Sequence, residues 1–114
     1  MEMTSSVHKG LTVVTVHESR IDAAVAMRFK ENMKDLTMGA TGRVIVDLSA
    51  VTFVDSSGLG AVVGSMKQMG RGRRMDLVGL SASVEKVFRM TRMDSVFRIF
   101  GSLDEATQEP ADAS

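Results

Sequence analysis

The chain has 114 residues, of which 44% are hydrophobic and 25% charged, a composition that suits one globular domain around a single core. Its 14 basic and 14 acidic side chains cancel, which excludes a whole-molecule field that would attract nucleic acid or an anionic membrane. The absence of cysteine excludes disulfides, thiolate metal sites and a cysteine nucleophile.

The first ten residues, MEMTSSVHKG, lack the basic start and apolar core of a signal peptide. No apolar run approaches the roughly 20 residues that a membrane-spanning helix needs. We therefore expect a cytoplasmic protein without membrane insertion.

The first half of the chain predicts a strand, a helix and a second strand. Leu11 to Val16 is rich in β-branched residues and reads as a strand. Apolar residues at helical spacing then predict a helix from about Ala23 to Leu36, with Asp22 as its N-cap. The apolar triplet Val44 to Val46 is typical of a central parallel strand covered on both faces.

A second helix is predicted to start near Gly58, directly after the polar run Asp55-Ser56-Ser57. Asp and Ser are preferred at helix N-caps. The inward face of this helix is predicted from its apolar residues at helical spacing, which are Leu59, Val62, Val63, Met66 and Met69.

The remaining chain predicts a strand at Met75 to Val78, a helix capped by Ser81 or Ser83, and a last strand at Phe97 to Phe100. The inward side chains expected in that helix are Val84, Val87, Phe88 and Thr91. Strands that alternate with helices predict an α/β layer fold with a mainly parallel sheet. One domain should span 1–114, with a core over about 11–103 and a flexible acidic tail over 104–114 that begins with one helical turn.

The run Asp55-Ser56-Ser57-Gly58 has two readings. It suits an ordinary helix N-cap, but one cap needs one oxygen and three side-chain acceptors stand in a row. They also follow a strand at its carboxyl end, where open α/β sheets place their binding sites.

Small residues recur along one side of the second helix at spacings of three and four. A glycine within a helix costs about 1 kcal/mol relative to alanine, so this stripe needs a reason. Close approach by a partner is one, and tight packing against the protein's own sheet or a neighbouring loop is the other. The stripe, predicted to be exposed, consists of Ser57, Gly60, Ala61, Gly64 and Ser65.

The segment from Val44 to Gly60, VIVDLSAVTFVDSSGLG, resembles the signature of the STAS domain, which anti-sigma factor antagonists and sulfate transporters share. SRIDAAVAMRFKENM resembles that family's first loop and helix, and MDLVGLSASVEKVFRMTRMDSVFRIF its later strand, helix and final strand. The resemblance covers about Leu11 to Leu103. It implies a layered α/β fold with a mainly parallel sheet of four to five strands and three to four helices.

In stand-alone members of the family, the serine before the glycine of this motif is phosphorylated, which implies Ser57 here. The resemblance also implies a partner surface that includes Asp22, Asp55, Ser56 and Gly58. With the small residues of the second helix added, the predicted partner-binding set is Asp22, Asp55, Ser56, Ser57, Gly58, Gly60, Ala61 and Gly64. Ser19 departs from the family pattern, where a glycine often precedes the first turn.

The function that the resemblance implies is that of an anti-sigma factor antagonist. The unphosphorylated protein would bind an anti-sigma factor of the ATP-binding serine kinase type and free a sigma factor. Phosphorylation of Ser57 would release the complex, and a serine phosphatase would reset it. Two alternatives lack a serine switch: a STAS subunit of a membrane lipid transport system, and a component of a stress-signalling scaffold.

Catalysis is not expected in this chain, and neither a cofactor nor a metal is predicted. A serine hydrolase would carry G-x-S-x-G and normally a histidine after the serine, whereas His8 and His17 both precede Ser57. The phosphate-binding pattern GxxxxGK[ST] is absent. Arg71, Arg73 and Arg74 could contact phosphates, although such a turn is commonly just solvated, and direct nucleic-acid binding is not expected.

Overall fold

A computed structural model describes residues 1–40, 42–70 and 72–108. The larger of its two sheets has five strands in the order β1-β2-β4-β6-β7, and in this sheet only β1 runs antiparallel to its neighbour. A separate parallel pair joins β3 to β5. The strands are β1 (Met3–His8), β2 (Leu11–Val16), β3 (Arg20–Ile21), β4 (Arg43–Asp47), β5 (Phe53–Val54), β6 (Arg74–Val78) and β7 (Arg98–Phe100).

Four α-helices are described, together with a short 3-10 turn at Met93–Ser95. The predicted mainly parallel α/β fold is therefore confirmed, with five strands in the main sheet and four helices. The helices are α1 (Ala26–Thr37), α2 (Ser56–Gln68), α3 (Ala82–Met90) and α4 (Leu103–Thr107).

The core lies on both faces of the sheet, as the apolar triplet in β4 predicted. Val44 and Val46 face the larger cluster, which includes Phe29 of α1 and Phe88 of α3. Ile45 points to the other face. That second cluster consists of Leu11, Val13, Ile45, Val78 and Ala106 of α4.

The start of α1 differs from the prediction. The helix begins at Ala26, three residues later than expected, and Asp22 is not its N-cap. Instead Asp22 accepts the Ala24 amide through Oδ1 at 3.1 Å, and its carbonyl oxygen accepts the Val25 amide at 3.1 Å. These contacts close a turn over residues 22–25, because Asp can accept backbone amides outside a helix as readily as at its start.

The later elements hold smaller differences. Helix α2 begins at Ser56 rather than near Gly58. Ser81, not Ser83, caps α3 by accepting the Val84 amide at 3.4 Å. Thr91 was predicted to face inward and is exposed, with its hydroxyl donating to the Val87 carbonyl oxygen at 2.7 Å.

The two ends of the chain add elements to the predicted core. Strand β1 was not predicted, because four of its six residues are exposed and show no apolar alternation. At the other end α4 confirms the helical start of the tail, and its Ala106 is fully buried. The rest of the predicted acidic tail, 109–114, lies outside the described residues.

Candidate functional site

The site is built where the two-stranded sheet β3-β5 ends. Arg20 pairs with Phe53 and Ile21 with Val54 in parallel register, so the two segments of the chain leave the sheet side by side. The Asp55 amide also donates to the Ile21 carbonyl oxygen at 3.4 Å. This pairing brings the 22–25 turn beside the start of α2.

Asp55 fixes both segments with its two carboxylate oxygens. Oδ1 accepts the Gly58 amide at 2.8 Å and caps α2. Oδ2 accepts the Ala23 amide at 3.2 Å. Asp55 therefore does more than cap α2, because it also holds the loop before α1 against the first turn of α2.

Asp22 lies in that same loop, and its side chain bonds to a residue of β3 in the same segment of the chain. Its Oδ2 accepts the Arg20 Nε at 3.3 Å. The Arg20 guanidinium in turn lies over the Phe53 ring, 4.1 Å from its centroid. Two carboxylates, one cation and a partly exposed aromatic ring thus lie together before the N-terminal ends of α1 and α2, and this cluster is called the entrance below.

Ser56 and Ser57 occupy the first turn of α2, and both are exposed. Only Ser57 lines the groove of about 610 Å³ that runs between α1 and α2. Ala23, Ala26 and Gly60 lie along the same groove, with Met27 and Lys30 at its side. The Ser57 hydroxyl is therefore reachable from solvent and sits at one end of an open groove.

The structure divides the small-residue stripe of α2 into two parts. Ala61 and Ser65 are only 3% and 2% exposed, so the prediction that they face solvent is wrong. They are buried because α1 packs alongside α2, and a side chain on Gly64 would meet the Lys30 stem at 3.1 Å. Packing within the protein explains this half of the stripe, whereas Gly60 opens onto free space in the groove.

Gly58 has a different reason for being glycine. It is buried, and a Cβ built on it would overlap the carbonyl oxygen of Ile21 and lie 2.6 Å from the carbonyl carbon. Glycine thus allows the close approach of α2 to β3 that places Ser57 beside the 22–25 turn.

Several groups at the site were missed by the sequence reasoning. The Ala23 amide, the Arg20–Phe53 stack and the groove residue Met27 all depend on contacts between segments about 30 residues apart. Met27 is 74% exposed, and the signal that the sequence offered was an apolar residue lying off the inward face of the predicted helix.

No helix within the described ranges is both long and apolar enough to cross a membrane.

His17 is exposed, and its Nε2 lies 2.8 Å from the Thr4 hydroxyl oxygen.

Comparison with known proteins points to one family. The model of the STAS domain matches residues 2–106. The anti-sigma-F factor antagonist RsfB of Mycobacterium tuberculosis is 24% identical over 104 residues, which cover 91% of this chain and 84% of that protein. An anti-sigma-B factor antagonist of Listeria monocytogenes is 33% identical over 81 residues, covering 69% and 70%.

A crystal structure of an anti-sigma factor antagonist from Mycobacterium paratuberculosis superposes with a TM-score of 0.80. It is 25% identical to this chain, and the match covers 94% of this chain and 92% of the other.

Proposed function

The chain belongs to the STAS domain family, and on that premise we propose that it is an anti-sigma factor antagonist controlled by phosphorylation of Ser57. In this proposal the unphosphorylated form binds an anti-sigma factor of the ATP-binding serine kinase type, and a serine phosphatase restores it. The chain acts by binding and catalyses no reaction itself.

One observation carries the proposal: the Ser57 hydroxyl is exposed at the end of an open groove on a rigid support. Capping by Asp55 and the contact of Gly58 with β3 hold the first turn of α2 in place. A kinase therefore meets a fixed serine, and a partner seated on the groove would cover that same serine.

The partner surface in this proposal comprises the start of α2, the 22–25 turn and the groove. Asp22, Asp55 and Ser56 lie around the entrance, and Gly60 offers a place where the partner's chain can come close. Gly58 and Gly64 take part indirectly, because Gly58 is buried and Gly64 packs against Lys30. Ala61 is only 3% exposed but still lines the groove.

Incubation with ATP and the candidate serine kinase is expected to add one phosphate to Ser57, read by mass spectrometry of the intact chain and its peptides. The Ser57→Ala variant should take up none, whereas Ser56→Ala should be modified like the unaltered protein. No modification of the unaltered chain would contradict the switch and favour a role without one, such as a transporter subunit.

Filling the groove is expected to weaken the complex without harming the fold. Gly60→Leu places a side chain in open space, and leucine suits a helix better than glycine by up to about 1 kcal/mol. We expect at least a tenfold loss of affinity in calorimetric titration with the anti-sigma factor, because the leucine occupies the space that the partner needs.

Lys86→Leu is the matched control, since Lys86 is exposed on α3 and lies outside the groove lining. Equal affinities for the two variants would mean that the partner does not use the groove.

A further inference from the structure

The end of α2 opposite to Ser57 carries a second arrangement of polar groups, centred on Arg73. This residue directly precedes β6 and lines two adjacent hollows of about 150 and 140 Å³. The first hollow also contains Arg74, Asp76 and Arg98. The second contains Lys34 from α1 and Gln68 from α2.

Two of the three guanidinium nitrogens of Arg73 are shielded from solvent, whereas the sequence suggested a fully solvated turn. Its Nε and Nη2 atoms are buried and have no hydrogen-bond partner among the described residues. Leaving charged donors buried and unsatisfied is costly, and such groups commonly mark a bound ion or water. The hydrogens on Nε and Nη2 lie on one edge of the planar group, the edge that binds phosphate or carboxylate with two parallel bonds.

The carboxylate in the lining of the first hollow, Asp76, is already engaged. Asp76 is fully buried and accepts Arg43 Nε at 2.6 Å and Arg74 Nη2 at 2.8 Å. The lining of the two hollows otherwise contributes cations, which are Lys34, Arg74 and Arg98. The surroundings of Arg73 therefore favour an added negative charge.

We propose that Arg73 is the centre of a binding site for a phosphate-type oxyanion, with Lys34 and Gln68 as further donors. Each hollow has room for a tetrahedral oxyanion but is smaller than the roughly 300–1,000 Å³ that drug-sized ligands occupy. The ligand class is thus inorganic phosphate or a small phosphomonoester, not a nucleotide.

Titration with sodium phosphate at constant ionic strength, balanced with chloride, tests the site. The melting temperature of the unaltered chain is expected to rise with phosphate, by roughly 5 °C at ten times Kd, because a ligand bound only to the folded state stabilises it. Arg73→Met should abolish the rise. Arg73→Lys should reduce affinity at least tenfold, because lysine keeps the charge and loses the two-pronged edge.

Lys67→Met is the control for general charge effects, since Lys67 is exposed in the last turn of α2. It should respond to phosphate like the unaltered chain, and so should Ser57→Asp, because Ser57 lies at the other end of α2. Backbone amide NMR spectra of Arg73→Met report whether the variant is folded. A phosphate response retained in folded Arg73→Met, or none in the unaltered chain, would overturn the proposal and leave the Ser57 switch untouched.

Discussion

Gly58→Ala is expected to destabilise the domain by about 3 kcal/mol or more and to lower its melting temperature by roughly 10–15 °C. The added methyl group would overlap the Ile21 carbonyl oxygen, and neither can rotate away, because a Cβ and a carbonyl oxygen are both fixed by the backbone that carries them. The Asp55 amide bonds to that same oxygen, and Asp55 also caps the helix that begins with Ser56. Relief of the overlap therefore requires β3 and α2 to separate.

Gly60→Ala is the matched control for this effect. It lies two residues further along the same helix, with open space where its methyl group would go. Alanine there should raise the free energy of unfolding by about 0.5–1 kcal/mol through its better helix propensity. Urea titrations followed by circular dichroism measure both variants. Similar stabilities for the two would mean that α2 does not approach β3 as closely as the structure shows.

The parallel sheet was predictable because its signals are local. The β4 triplet is buried on both faces, and an unbroken apolar run indicates that burial without knowledge of the neighbours. The caps at Asp55 and Ser81 were predictable for the same reason, since each accepts an amide three residues ahead.

The short pair β3-β5 was not predictable, and much of the site depends on it. Each strand has two residues, too few for a periodic pattern, and the pairing joins segments 33 positions apart. The later start of α1 has a similar cause. Asp22 fits an N-cap by residue type, but the Ala23 amide is held by Asp55 from the other segment.

The orientation of α2 was the other open question. The spacing of its small residues was equally consistent with a partner and with internal packing. The position of α1 decided between them for Ala61, Gly64 and Ser65, because Phe29 and Met33 anchor α1 to the core and its Lys30 then lies against Gly64. Ser57 and Gly60 remained on the open side, so Ser57 is a prediction from the sequence, and the groove beside it is seen only in the structure.

Ser57→Asp is expected to preserve the fold and to weaken binding to the anti-sigma factor about 100-fold. An acidic side chain in the first turn of a helix interacts favourably with the helix dipole, by about 0.3–1 kcal/mol, so the melting temperature should change little. At the interface the charge acts differently. The new carboxylate and a second negative charge about 5 Å away, in an effective dielectric near 20, repel each other by about 3 kcal/mol. That energy corresponds to a little over two decades in affinity.

The surroundings of Ser57 make that repulsion hard to relieve. Asp55 and Asp22 already carry negative charge at the entrance, and the amides of Gly58 and Ala23 are engaged by Asp55. A new charge at position 57 would therefore depend on solvent, which a partner seated on the groove would exclude. A phosphate, with about −1.5 to −2 charges, should act in the same direction more strongly.

Ser56→Asp isolates the position of the charge from its presence. It adds the same charge in the same turn, but Ser56 does not line the groove, so affinity should fall less than tenfold. Ser57→Ala should bind as tightly as the unaltered chain and stay bound when kinase and ATP are added. Calorimetric titration measures all three variants. Unaltered affinity in Ser57→Asp, or equal losses of affinity in the two aspartate variants, would contradict a switch that works through charge at the Ser57 end of the groove.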